Sequence, residues 1–280
     1  MPGTCSRCHS AEGLPLYITE GVSITQPTAN ALSCTTCHDA VPGFTLYVSN
    51  EVTFPSGATL SFGEGDVSNL CMNCHQGRSS TPTVNAAIEG IGADTVDENL
   101  GFINIHYFAA GATLFGSEAQ GAYQYPGKTY VGLNTHVPGA DTCAECHNVH
   151  ALQVNTEICA QCHGNVELDA IRMDDGEPID YDGDGNTTEG IAGEIETIHE
   201  ALWTAIEAYA ARSHKAPATP TTSTKLGRAT APGHLVWCRR STTISMCRRT
   251  PAHSPTTATT SWRSCTTAWR TSAAARQLPV

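Results

Sequence analysis

The chain has 280 residues, a formal charge of −12, 13 cysteines and 12 histidines. That length allows one or two domains, and no apolar run is long enough to span a membrane. Residues 1–212 hold all 27 acidic residues beside five basic ones (Arg7, Arg78, Lys128, Arg172, Arg212), whereas 213–280 hold ten basic residues and no acid. The acidic body lacks the basic footprint that nucleic-acid binding requires.

Ten of the 13 cysteines fall in five C-x-x-C pairs, each followed by histidine. In chain order these are Cys5-Ser-Arg-Cys8-His9, Cys34-Thr-Thr-Cys37-His38, Cys71-Met-Asn-Cys74-His75, Cys143-Ala-Glu-Cys146-His147 and Cys159-Ala-Gln-Cys162-His163. Two thiols three residues apart on one helical turn can reach the two vinyl groups of a haem and form thioethers. The next residue then carries its imidazole to the iron. Chance would supply about 0.03 such motifs in this composition; five occur.

Other readings of the cysteines account for less. Cys143/Cys146 with Cys159/Cys162 have a zinc-ribbon spacing, but four-cysteine sites need an even number of pairs and no histidine after each. A thioredoxin-like redox pair needs one motif on a βαβ unit, not five in loop-rich sequence.

Between the motifs, Thr45–Val48, Glu51–Phe54 and Ala58–Phe62 alternate in polarity and are broken by Ser49-Asn50 and Pro55-Ser-Gly57, predicting a small antiparallel β-meander over about 45–62. Gly101–Ala110 reads as a helix bearing His106, with Ala109, Ala110 and Gly111 small enough to admit a flat macrocycle. Tyr123–Val131 reads as a hairpin turning at Pro126-Gly127, followed by His136. His150 follows His147 by three residues. It cannot swing over its own haem's far face and would ligate a neighbouring one.

Asp180-Tyr-Asp182-Gly-Asp184-Gly-Asn186 matches the first half of a calcium loop, but Ile191 stands where the bidentate acid belongs. Calcium on Asp180, Asp182, Asp184 and Asn186 competes with a plain acidic turn and helix cap. The clearest helix covers about 188–211, with Ile191, Ile195, Ile198, Leu202, Ile206 and Tyr209 as its apolar stripe and His199 at the edge. Asn186 with Glu189 resembles a capping box.

From about Ser213 to Val280 the chain is basic and rich in Thr, Ser, Arg and Pro, without Asp, Glu, Asn, Phe or Tyr. It reads either as a disordered linker or as translation in a shifted frame, since a frame one nucleotide earlier can encode a turn and an amphipathic helix. No role is assigned to Cys238, Cys247, Cys265, His234 or His253.

On the five motifs, and on Cys143–His163 with its added His150, residues 1–212 resemble the bacterial multihaem c-type cytochromes of respiratory and extracellular electron transfer. The resemblance implies five covalent haem c groups, with His9, His38, His75, His147 and His163 as proximal iron ligands. Methionine is scarce in 1–212 (Met1, Met72, Met173), so bis-histidine ligation is expected, and it holds potentials lower than His/Met ligation does. The distal candidates are His106, His136, His150 and His199. That is one too few, so the fifth ligand is sought in sequence beyond this chain, in His214 or in another chain.

The expected fold is haem-packed, with short α-helices, long loops, the small β-meander and little regular secondary structure. The expected work is electron transfer with redox partner proteins or extracellular electron acceptors, in the periplasm, at the cell surface or outside the cell. The chain opens without a signal segment, which is read as a missing N-terminus, because haem is attached outside the cytoplasm. The alternatives are a reductase of a small nitrogen or sulfur oxyanion with one open haem, and a subunit of a conductive filament or other homo-oligomer.

Overall fold

The computed structural model describes residues 1–29, 31–92, 95–165, 167–172, 179–213 and the pair Gly233–His234. Helices are short, and strands pair only in twos. In chain order the elements are α1 (Gly3–His9), α2 (Gly13–Glu20), α3 (Cys34–Cys37), β1 (Val52–Thr53), β2 (Thr59–Leu60), α4 (Ser68–His75) and α5 (Thr81–Ala87). There follow β3 (Val96–Asp97), α6 (Ala110–Leu114), α7 (Gly116–Ala119), α8 (Cys143–Cys146), β4 (His147–Asn148), β5 (Gln153–Val154) and α9 (Thr156–His163). A 3-10 turn (Leu168–Ala170), α10 (Ile191–Ser213) and β6 (Gly233–His234) complete the set. The antiparallel pairs are β1 with β2, β3 with β6 and β4 with β5. No β-barrel closes among the described residues. This is the expected fold class of short helices, loops and little regular structure.

The protein core surrounds α4. Val52, Phe54, Met72, Ile105, Ala109, Ala112, Phe115 and Ala119 form one buried cluster, with Leu60, Phe62 and Leu133 packed on it. A second cluster, Val84, Ile88, Leu100 and Tyr123, lies under α5. Helix α5 starts on a capping box, in which the Thr83 amide donates to Ser80 Oγ and the Ser80 amide to Thr83 Oγ1.

Several local expectations are corrected. Of the 45–62 meander only the hairpin Val52–Thr53 with Thr59–Leu60 forms; Leu46 instead makes a single bridge to His38. The segment 123–131 turns near Pro126-Gly127 without strand pairing, because the Tyr125 amide donates to the Tyr130 hydroxyl rather than to a ladder. Residues 101–108 are not helical. His106 and Phe108 have φ of 87° and 52°, and α6 begins only at Ala110. Ala109 and Gly111 are buried, and a Cβ on Gly111 would lie 3.1 Å from the His75 carbonyl. Those small residues let α4 approach closely.

The terminal helix forms as read, beginning three residues later. Ile195 and Ile206 are buried along its stripe. It docks on the 3-10 turn, where Gly190 lies against Asp169 and Ala170 and the Ile191 amide donates to the Ile171 carbonyl. Asn186 Oδ1 accepts from the Thr188 amide, before the helix rather than as its cap. The proposed tail 213–280, with His214, Cys238, Cys247, His253 and Cys265, lies outside the described residues apart from Ser213 and Gly233–His234.

Candidate functional site: histidine pairs around five Cys-x-x-Cys-His turns

Each motif is wound into a single turn. Cys5, Cys8 and His9 lie on α1, Cys71, Cys74 and His75 on α4, and Cys159, Cys162 and His163 on α9. The pairs Cys34/Cys37 and Cys143/Cys146 make up α3 and α8, with His38 and His147 as the C-caps. An i, i+3 spacing on a helix puts both thiols on one face. All ten are free thiols.

The residues between the cysteines hold these turns in place, a role that the motif count missed. Ser6 is fully buried and donates to the Ile24 carbonyl. Thr36 accepts from the Ser33 amide and donates to the Ala11 carbonyl, tying α3 to the α1–α2 corner. Asn73 is buried and donates to Ser49 Oγ. Glu145 accepts from the amides of Thr142 and Asp141, and those bonds hold its carboxyl below the usual range.

Three of the four distal candidates lie against motif histidines. The ring centroids of His9 and His106 are 5.8 Å apart, those of His38 and His150 6.3 Å with parallel planes, and those of His136 and His163 6.0 Å. Imidazoles bound on opposite faces of one iron, each through a nitrogen about 2 Å from it, have centroids about 6 Å apart. Ring packing alone can give such a distance once. It does not account for three pairs that each join one motif histidine to one histidine outside the motifs.

Backbone strain marks the same places. His106 itself has φ 87°, a conformation rare for a residue with a side chain. Burial pushes its imidazole below the ordinary pKa, with Arg78 and His9 adding, which favours the neutral form that binds metal. His38 Nδ1 and His75 Nδ1 meet the carbonyls of Phe44 (2.8 Å) and Phe108 (2.6 Å). A carbonyl only accepts, so both Nδ1 atoms carry the proton and each Nε2 is left as the metal-binding nitrogen. Phe44 and Phe108 both have left-handed backbones, φ 54° and 52°. Neither was foreseen, because a backbone carbonyl leaves no mark in sequence.

For His75 the described residues bring no second imidazole. His199, on α10, has its ring nitrogen within 4.8 Å of carboxylate oxygens of Glu196 and Glu200. His147 begins β4.

Large apolar side chains are exposed around the second and fourth motifs: Leu32, Phe44, Val48, Val137, Val149 and Leu152, the last 81% exposed. Such a concentration marks a surface that something apolar covers. The free thiol pairs, the imidazole pairs and this apolar surround fit covalent haem.

In the acidic loop Asp180 accepts from the Gly183 and Gly185 amides, Asp182 from Asp184 and Asp184 from Asn186. Glu194, 1% exposed on α10, joins Asp180 and Asp182 within 4.8 Å, and Glu189 joins Asp182 and Asp184. Glu194 Oε2 accepts from the Tyr181 and Asp182 amides. Its Oε1 accepts no hydrogen bond and has Arg172 3.7 Å away. Asp182 Oδ2 and Glu189 Oε1 are likewise buried without hydrogen bonds.

No family model matches the chain, and no solved structure matches it. Known proteins do. The chain is 26% identical over 223 residues to the C-type polyheme cytochrome OmcB of Geobacter sulfurreducens, covering 58% of this chain and 28% of that protein. It is 25% identical over 190 residues to the C-type polyheme cytochrome OmcC of the same organism, covering 52% of this chain and 24% of that protein. The chain thus spans about a quarter of the length of the curated relatives it matches. No helix among the described residues is long and apolar enough to cross a membrane. The similarity to two polyheme cytochromes accords with the five Cys-x-x-Cys-His turns.

Proposed function

We propose that this chain carries electrons through five haem c groups, anchored by Cys5/Cys8, Cys34/Cys37, Cys71/Cys74, Cys143/Cys146 and Cys159/Cys162. The observation that carries this reading is the threefold pairing of His9 with His106, His38 with His150 and His163 with His136. Those pairs are the proposed axial ligands of three irons. His75 and His147 are the proximal ligands of the other two, and His199 remains the distal candidate for one of them. When bound, the cofactor supplies one-electron exchange at iron. The chain's own residues anchor it, choose its ligands and, through Phe44 and Phe108, orient the imidazoles.

His150 lies three residues after His147 yet against His38, so the 143–150 segment would join two groups rather than serve one. The acidic body favours basic redox partners, bound weakly and released by salt. An extracytoplasmic site of action, toward redox proteins or extracellular acceptors, goes with covalent haem attachment. Residues 1–212 are the proposed pentahaem unit, and 213–280 a segment in a shifted frame or a disordered linker.

An intact mass of the native protein tests the reading. Five haems on the ten cysteines are expected, and fewer than five refutes the count. Electron paramagnetic resonance separates the functional alternatives. Low-spin signals throughout favour a carrier, whereas a five-coordinate high-spin haem favours a reductase; images of the native protein reveal a filament if it forms one.

The three buried carboxylate oxygens without hydrogen bonds favour a second reading, a calcium ion held by Asp180, Asp182, Asp184, Glu189 and Glu194. Asn186 then caps the loop instead of ligating. Calcium is expected to raise the melting temperature and EDTA to lower it. An equal response in Glu194→Gln would remove this site.

A further inference from the structure

We infer that helix α4 is the electrical junction of the molecule, joining the first and fourth motifs through its own two cysteine sulfurs. The inference rests on the haem reading above and concerns the order in which the groups touch.

Both thiols of α4 are in contact with a thiol of another motif. The Cys74 and Cys8 side chains lie against each other. The same contact is mirrored in the backbone, because Cys8 Sγ donates to the Asn73 carbonyl and Cys74 Sγ lies on the Arg7 carbonyl, 3.6 and 3.9 Å away. Cys71 lies against Cys143, and the Ala144 amide donates to Ser68 Oγ at the head of α4, 3.2 Å away. Helix α4 packs directly on α1 and on α8.

A haem bonded to such a sulfur has its thioether-bearing edge at that sulfur. Two sulfurs in contact therefore bring two conjugated edges within one sulfur–sulfur contact of each other, and electron tunnelling falls steeply with edge separation. Cys71 and Cys74 touch different neighbours, so the order is Cys5/Cys8, then Cys71/Cys74, then Cys143/Cys146. The segment 136–150 extends it, with His150 against His38 of the second motif and His136 against His163 of the fifth. The fifth motif is then terminal, and the third is the link between the first and the fourth. With haem bound, one electron would leave one group and enter the next, so the transfer balances without any bond made or broken.

The test compares two deletions in the full holoprotein, Cys71→Ala/Cys74→Ala and Cys159→Ala/Cys162→Ala, each checked by intact mass for four remaining haems. Electron redistribution is followed optically after a substoichiometric one-electron reducing pulse, together with magnetic coupling between haems by electron paramagnetic resonance. Loss of the Cys71/Cys74 pair is expected to slow redistribution between the first motif and the rest about tenfold or more and to leave the first haem as an isolated low-spin signal. Loss of the terminal pair should leave both nearly unchanged. Equal effects of the two deletions overturn the inference.

Where the Cys71/Cys74 deletion fails to fold, the experimental structure of the loaded wild type decides: Cys8 and Cys74 sulfurs in contact support the order, and sulfurs out of contact overturn it. A native mass showing Cys8–Cys74 and Cys71–Cys143 disulfides in place of haem would instead overturn the haem reading beneath.

Discussion

Residues 50–134 and 135–165 carry comparable motifs on different foundations. In the first stretch α4 rests on a core of aliphatic and aromatic side chains, with Met72 and Ile105 fully buried and Phe115 2% exposed. In the second, two motifs follow within 21 residues and none of the described side chains is buried. Capping by Glu145 and the short β4–β5 pair hold its turns locally, but four residues of helix and two of strand are too little to persist alone. On the proposed haem reading, one region would anchor its cofactor on a small protein core, and the other would draw its apolar interior from the cofactors themselves.

This contrast can be broken most severely by removing the anchors of the second region. Cys143→Ala/Cys146→Ala/Cys159→Ala/Cys162→Ala is expected to abolish hydrogen-exchange protection across 136–165 while 50–134 keeps most of its own. Uniform loss, or none, would erase the distinction.

Phe115→Ala attacks the first region instead. It should cost about 3–5 kcal/mol, read in the melting temperature, while the haem count stays at five. A smaller loss would mean that the cluster contributes less than its burial implies.

His150→Ala tests the link between motifs. Stability should change little, but one low-spin haem is expected to become high-spin, whereas His150→Met should keep it low-spin and raise one potential. An unchanged spectrum in His150→Ala removes that ligand assignment. The smallest effect is predicted for Thr36→Ala, which loses the cap on α3 and the bond to Ala11. About 1 kcal/mol is expected, with the optical spectrum preserved.

Much of the candidate site was legible in the residues because covalent attachment demands a fixed local pattern. Cys-x-x-Cys-His is a property of one helical turn, and each of the five forms that turn. The stripe from Ile191 to Tyr209 was legible for the same reason, since burial on one face imposes a 3.6-residue period. Residues 101–108 were misread. Their apolar spacing resembles a helix, but tertiary contacts bend the chain at His106 and Phe108 so that one ring meets His9 and one carbonyl meets His75.

The acidic loop was half legible. Asp180, Asp182 and Asp184 stood out, but Glu194 reaches Asp180 and Asp182 only because α10 folds back over the 3-10 turn.

The sequence by itself determined that five histidine-bearing turns exist, what chemistry they can anchor and that methionine is too scarce to serve them. Only the tertiary structure decided which histidine meets which, and that Cys71 and Cys74 turn toward different neighbours. The reason is one of range. A turn is closed by residues three or four apart, whereas His9 with His106 and Cys8 with Cys74 are brought together by packing between distant segments. No local spacing encodes such meetings.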